Sequence, residues 1–541
     1  MSRFLRKPLS RSIVLMSFAC MTAAFGQVNI LTQRYDNSRT GANLSETVLT
    51  PTSVASSFGK LFTLPVDGAI YAQPLLVSNL SIPGKGTHNV LFVVTMNDVV
   101  YAFDADSSST TPLWTVSFVN PAAGITPVPI TDITVAANIQ DNVGIESTPV
   151  IDLPSNTLYL VARTKENGAY YQRIHALDIT TGAERTNSPV IISGSVAGTG
   201  NGAVNNRLTF DPLLGNQRTG LAIASHQLLI AWASHEDFGP YHGWVMSYDI
   251  TTLRQTGIIC TTPNGTNGGI WMSSWAPAVD SSNFVYYTVG NGTWDARRNF
   301  GESVIKLSLS ERLGIVDFFT PANWNALNGN DDDFGSTGLM LIPGSNTAVT
   351  GTKKGLIYLV NTAKLGWEKT SDLQSVQWFD MRDLNQYAYS AKGGPVYWNR
   401  PGSTSMVYIQ NEGDPVHGLP VLPNGGGLGI PTLDLSNAQA SYNYSPYFGG
   451  GVLALSGDPA GQHAIVWSST CYSGGGGDSY CPGILRALDA TNGLSSLWDS
   501  EANSTQDRVG NWAKFVPPVV ANGKVYLATF SNQLVVYGLT K

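Results

Sequence analysis

Charge is what this chain has least of. Only 13% of its 541 residues are Asp, Glu, Lys or Arg, about half the usual share. With 56 glycines, abundant Thr, Ser and Asn, and many β-branched runs, that scarcity points to an all-β protein. There is no basic excess: the net charge is −7 and the pI near 5.5. A nucleic-acid or anionic-membrane partner is therefore excluded. Beyond the N-terminus no apolar stretch is long enough for a membrane helix. Cysteines number four, and none forms the Cys-x-x-Cys-His of a haem attachment site.

What the N-terminus does have is a targeting pattern. Arg3, Arg6, Lys7 and Arg11 form a basic head and Ile13–Ala24 a short apolar segment. Cleavage after Gly26, with Ala24 at the −3 position, makes residues 1–26 a signal peptide and Gln27 the mature start. A lipoprotein reading through Cys20 lacks the expected leucine in Ser17-Phe18-Ala19. The expected location is the periplasm or the exterior, where disulfides persist. Cys471 and Cys481 bracket the Gly-rich run Tyr472–Tyr480, and a disulfide between them contributes roughly 2–3 kcal/mol by chain-entropy reasoning. A redox-active pair is the alternative. Cys260, in Ile258-Ile259-Cys260, reads as a buried free thiol.

The strongest signal is internal repetition. An apolar strand runs into Ala-x-Asp and a Thr/Gly turn, and the best copies end in Trp. The phrase reads Val100-Tyr101-Ala102-Phe103-Asp104 with Trp114, and Ile174-His175-Ala176-Leu177-Asp178 with Gly182. It returns as Val245-Met246-Ser247-Tyr248-Asp249 and as Leu485-Arg486-Ala487-Leu488-Asp489 with Trp498. Such a unit cannot bury its apolar face alone and must stack on its neighbours. A second marker, a small or polar residue and Pro before an apolar strand, occurs at Pro74, Pro149, Pro212, Pro277, Pro395 and Pro518. Degenerate versions stand at Gly338-Leu339 and Gly451-Val452.

These eight starts lie 56–75 residues apart, room for about four short strands each. The predicted fold is an eight-bladed β-propeller with four-stranded antiparallel blades, and residues 27–541 form one domain. The last unit runs out after three strands at Leu534-Val535-Val536-Tyr537. Pairing that strand with Leu61–Val66 near the beginning closes the ring and hides both edges. Trp114 and Trp498 are expected as wedges between blades.

Three loops break the repeat with unusual polar residues. They are Ser234–Gly243, with His235, Glu236, Asp237 and His242; Gly268-Gly269-Ile270-Trp271 running on to Gly290-Asn291-Gly292-Thr293-Trp294; and Asn328–Gly335, with Asp331, Asp332 and Asp333, followed by Lys353-Lys354. With the repeats, they make the mature chain resemble the quinoprotein alcohol dehydrogenase-like superfamily. Its enzymes hold pyrroloquinoline quinone (PQQ) and Ca²⁺ or a related ion in a propeller channel. The resemblance implies Trp271 as the floor under the quinone ring and Gln73 within the first-blade signature Gln73-Pro74-Leu75. It implies Asn291 and Asp237, or Glu236 by a one-residue shift, as metal ligands. Asp331, Asp332 and Asp333 lie where the catalytic aspartate is expected, and Lys353 where a cation meets the quinone oxygens.

That chemistry is coherent. A hard cation with oxygen ligands polarises the quinone carbonyl, an aspartate takes the alcohol proton, and a lysine stabilises developing negative charge. There are also departures. The vicinal cysteine pair of many such dehydrogenases is replaced by Asn138-Ile139-Gln140-Asp141, and the arginine on a quinone carboxylate by Asn142-Val143-Gly144. Losing that arginine costs on the order of 2–4 kcal/mol of binding. The superfamily also includes cofactor-free members that only bind protein. The phrases Tyr35–Asn43 and Trp232–His235 resemble a group of exported PQQ-like repeat proteins.

Two functional readings follow. One is a PQQ- and Ca²⁺-dependent dehydrogenase acting on a small alcohol or sugar. The other is a scaffold propeller binding an exported protein or polysaccharide, in which Trp271 is packing, Asn291 a turn, Asp331–Asp333 a solvated loop and Lys353 edge protection. A transition-metal site at His235 and His242 is a third possibility.

Overall fold

The computed structural model describes residues 27–134, 139–427, 429–445, 448–474, 477 and 479–540. The expected signal peptide, with Cys20, and Asn138 lie outside them. Eight blade sheets follow one another along the chain, with a two-stranded hairpin, Ser195–Ala197 and Arg207–Thr209, between the second and third. The first blade consists of Leu75–Ile82, Gly86–Val94, Val99–Asp104 and Trp114–Ser117. The second to seventh repeat that antiparallel meander, their innermost strands beginning at Val150, Ala222, Ala278, Met340, Val396 and Val452. Only three short α-helices interrupt it among the described residues.

The eighth blade joins Val519–Ala521, Lys524–Ala528 and Gln533–Leu539 to Phe58–Pro65 from the beginning of the chain. Phe62, Thr63 and Leu64 pair with Val536, Val535 and Leu534. The expected ring closure is thus present, and it covers the edge of the chain's last strand.

The repeated Ala-x-Asp phrase has a local cause. Its Asp ends the third strand of a blade and turns the chain into the fourth. Asp178 Oδ1 accepts from Thr180 N at 2.7 Å, Asp249 Oδ1 from Thr252 N at 2.8 Å, and Asp489 Oδ1 from Thr491 N at 2.8 Å. These are Asx turns. The tryptophans then wedge the blades. Trp114 Nε1 donates to Ile179 O of the second blade at 3.0 Å. Trp498 packs edge-on against Phe58, ring centroids 4.9 Å apart, joining the seventh blade to the eighth.

One expected start is displaced. The third blade begins at Ala222, not after Pro212. Asp211 Oδ1 accepts from Leu213 N at 2.7 Å, so Asp211-Pro212 is an Asx turn in a connecting loop, with the same composition as a strand start.

The hub is filled by a strap that the repeat pattern does not foreshadow. Ile30 pairs with Leu76 of the first blade, and Ile151 N donates to Leu31 O. Val279 N donates to Asn37 O, Leu341 N to Ser38 O, Tyr397 N to Thr40 O and Leu455 N to Gly41 O, at 2.8–2.9 Å. Asn43 Nδ2 reaches Val520 O at 3.1 Å. Seven of the eight blades are therefore tied to one segment. Two arginines, both 0% exposed, lock it. Arg39 donates through Nε to Pro277 O at 2.9 Å, and through Nη1 to Thr32 Oγ1 and to Gln33 O at 2.8 and 2.7 Å. Arg34 donates to Pro395 O and lies 3.7 Å above the Trp275 ring.

Replacing Arg39 with Met leaves buried carbonyls of Pro277 and Gln33 without their donor. The expected loss is about 2–4 kcal/mol of stability, read as a lower urea midpoint. An unchanged midpoint shows that the strap does not hold the ring.

Candidate functional site

Immediately beside the strap, loops from several blades enclose a cavity of about 400 Å³. Six of its wall residues are Glu236, Asp237, Trp271, Asn291, Asp331 and Asp333, and Lys353 is a seventh. These are separated by more than a hundred residues in the chain. The geometry thus brings together most of the residues singled out in the sequence.

Trp271 is held by its Nε1, which donates to Ser234 O at 2.9 Å. Its six-membered ring packs so closely on two glycines that a Cβ on Gly269 would come within 2.7 Å and one on Gly290 within 2.9 Å. The Cβ of a residue at 290 would also meet Asp333 Oδ2 at 2.7 Å. Glycine is needed there to let the indole and the carboxylate approach each other.

The Asp331–Asp333 run splits. Asp331 ends the short helix Trp324–Asn330 in the left-handed conformation, φ 57°. Its Oδ1 accepts from Asn291 Nδ2 at 2.7 Å and from Lys353 Nζ at 2.8 Å. Asp333 is buried, and its Oδ1 lies 2.8 Å from the same ammonium. Asp332 does not line the cavity; it accepts from Tyr389 OH at 3.4 Å. Gln73 does not line it either. Its Oε1 accepts from Arg34 N at 2.8 Å, making it a buried strut of the strap.

Burial pushes the Asp333 pKa up, with Lys353 as the main opposing influence. Burial also disfavours the Lys353 ammonium, but Asp333 and Asp331 outweigh it and hold its pKa above the ordinary lysine value. The lysine therefore stays charged. Sequence reasoning missed a further acid, Glu302, which is 0% exposed. Its Oε2 accepts from Phe334 N at 2.7 Å, whereas Oε1 has no partner. Burial and then the charge of Asp333 raise its pKa well above the ordinary value, which favours the protonated carboxyl. Only its place just after a Gly at the start of a strand marked it in the sequence.

The loop Ser234–Gly243 supplies Glu236 and Asp237, both left-handed at φ 51° and 55°. Asp237 accepts from Tyr241 OH. Its histidines point elsewhere. His235 Nε2 meets Arg163 Nη1 at 2.6 Å, and His242 lies between Thr262 Oγ1 and Asn201 O at 2.9 and 2.8 Å. Burial, then Arg163 and Arg218, push the His235 pKa well down. The transition-metal reading of this pair is thereby corrected, because both rings are already engaged. Cys471 and Cys481 are joined as a disulfide, and Cys260 is a buried thiol.

Does the cavity suit a hard cation and a flat quinone? Its donors are oxygens, the choice of such ions, and Asn291 Oδ1 is a buried acceptor with no partner. Among the described residues no three His, Cys, Asp or Glu side chains converge as a ready-made nest. The protein alone does not complete the coordination; an asparagine oxygen and the bound ligand have to contribute. The half-buried indole supplies a flat floor. On donor type and shape the residues fit.

No protein-family model and no curated protein sequence matches the chain. Solved structures do match. A europium-containing methanol dehydrogenase superposes with a TM-score of 0.59 at 12% identity, covering 95% of this chain and 98% of its own. The quinohemoprotein alcohol dehydrogenase from Comamonas testosteroni gives 0.56 at 13% identity, covering 94% of this chain and 80% of its own. One from Pseudomonas putida HK5 gives 0.52 at 13%, with the same coverages. The chain therefore shares the propeller fold of these dehydrogenases.

Glu302 generates a pH test. In the unfolded chain it ionises above its ordinary value of 4.5, whereas in the fold burial holds the proton to higher pH. Over that window the native state binds more protons, so this group's contribution makes stability fall as pH rises. As pH rises above the unfolded value of 4.5 the wild type should lose stability relative to Glu302→Gln, measured by urea unfolding. A difference that stays constant with pH contradicts a protonated Glu302.

Proposed function

We propose that this protein is an exported quinoprotein-type dehydrogenase whose cavity binds PQQ with Ca²⁺ or a related hard cation and oxidises a small alcohol or sugar. In this reading residues 1–26 direct export and 27–541 form the working domain. The observation that carries it is the convergence of Trp271, Asn291, Asp333 and Lys353 on one enclosed cavity. A purely scaffolding propeller has no need to aim an unpaired amide oxygen, a strained-pKa carboxylate and an indole face at the same space.

When bound, the quinone supplies an electrophilic carbonyl that accepts the two electrons of the alcohol. The chain's own residues do the rest. Asn291 Oδ1, with Asp237 or Glu236, would hold the cation. Trp271 would support the ring. Asp333 receives the hydroxyl proton. Burial raises its affinity for that proton, while Lys353, 2.8 Å away, favours its ionised form. A base tuned upward in this way is better matched to neutral pH than an exposed aspartate. Asp331 is more exposed and ties Asn291 to Lys353, which orients both. Without a haem attachment motif, electrons leave to a separate acceptor.

Purified protein supplied with PQQ and Ca²⁺ should reduce an artificial dye in the presence of an alcohol or aldose. Asp333→Asn should lower kcat by about 10²–10⁴-fold while PQQ still binds, and Asn291→Ala should weaken dependence on added Ca²⁺. Absence of any PQQ binding in an absorbance titration rules the reading out.

A further inference from the structure

The cavity has two sides of different character. Its acids come from loops around the third, fourth and fifth blades. Further lining residues, from loops preceding the third, sixth, seventh and eighth blades, are Arg218, Lys392, Phe448 and Phe515. These four form a continuous arc. The Arg218 guanidinium lies 5.4 Å from the Phe515 ring, Phe515 meets Phe448 edge-on at 6.2 Å, and Lys392 Nζ stands 3.7 Å from the Phe448 ring.

Each cation is fixed from behind by a carboxylate. Glu146 Oε1 accepts from Arg218 Nε at 2.9 Å, and Glu412 Oε1 from Lys392 Nζ at 2.9 Å. Glu412 is itself held by Gly449 N. Such supported cations are pre-organised, so little side-chain entropy is lost when an anion meets them. Within Asn142–Gly144, where the resemblance implies an arginine, Gly144 has no space for a side chain. A Cβ at Gly144 would lie 2.5 Å from Met96 O.

We propose that this arc is a carboxylate clamp, and that the ligand of the cavity is a flat aromatic molecule with at least two carboxylates directed at Arg218 and Lys392. The proposal rests on the reading of the cavity as a cofactor site and deepens it. The grip lost at Asn142–Gly144 is supplied from the loop before the third blade instead. The two phenyl rings exclude water around the cations, which strengthens charge-assisted hydrogen bonds there. The acid side is left to the cation, so the two poles orient the ligand.

Two probes separate the clamp from the quinone reading: PQQ, and pyridine-2,6-dicarboxylate, which has the flat ring and two carboxylates but no quinone. Binding to the full mature chain is followed by tryptophan fluorescence and calorimetry in excess Ca²⁺. Arg218→Met alone strands the buried Glu146, so the double variant Arg218→Met/Glu146→Gln and Lys392→Met are used, with thermal melts to confirm folding. The wild type should bind both probes, and each folded variant should bind both at least tenfold more weakly. If the wild type binds the dicarboxylate in an Arg218-dependent way but not PQQ, the clamp stands and the quinone reading falls. If PQQ binds equally to wild type and variants, the clamp is overturned and the quinone reading stands. If neither probe binds, both are overturned.

Discussion

The arrangement of the hub depends on hydrogen bonds between one strap of main chain and the innermost strands. Eight such strands converge on an axis where their inward N–H and C=O groups need partners. Residues 30–43 supply them for seven of the eight blades. Two guanidiniums are buried in the process, at a cost of several kcal/mol each if left bare. Proline carbonyls at 277 and 395 and the Trp275 face take the place of water around them. Arg34 and Arg39 still have their pKa values lowered by burial, to about 9 and about 10, so both remain charged at neutral pH. In four blades the residues the strap touches follow cavity residues by a few positions: Ser273 then Pro277, Ser336 then Leu341, Lys392 then Pro395, Phe515 then Val520. In those blades the strap lies as a floor next to the cavity loops.

Above that floor, burial rather than pairing sets the proton chemistry. Asp331 and Asp333 share Lys353 at the same distance, 2.8 Å, but their side chains are 64% and 3% exposed. Water screens the first and not the second. Burial thereby raises the proton affinity of Asp333 and of Glu302 near it. Gly290 makes this possible by letting the indole of Trp271 and the Asp333 carboxylate share one small volume. A larger residue there would separate the ring floor from the acid.

The blades were readable because their signal is local. An Asp that caps its own turn and a Trp that wedges the next sheet leave the same mark in every copy. The same locality produced the error at Pro212, where an Asx turn in a loop has the composition of a strand start. Ring closure was readable from an unpaired last strand. The strap was not, since its contacts are main-chain bonds spread over hundreds of residues and require no particular side chains beyond Arg34 and Arg39. Within the site, Trp271, Asn291, Asp333 and Lys353 stood out because each interrupts a repeat. Arg218, Lys392 and Glu302 lie in segments that look ordinary. Sequence gave Asp332 and Gln73 the same weight as their neighbours, because one residue along a loop or strand reverses which way a side chain faces.

The disulfide has a place in this geometry as well. Cys471–Cys481 closes the loop that contains Gly477, and Lys514 Nζ donates to Gly477 O at 2.7 Å. Lys514 lies 5.8 Å from the ring of Phe448, and a Cβ on Gly477 would stand 3.7 Å from that ring. Tyr480 at the other end of the loop reaches Asp141 across the face, 3.4 Å away. The cross-link therefore braces the back of the cationic and aromatic wall, not the acidic one. The acidic wall is positioned by hydrogen bonds and glycine packing within its own blades. One half of the cavity is set by the repeats themselves and the other by a covalent tie between strands, so the two halves respond to different perturbations.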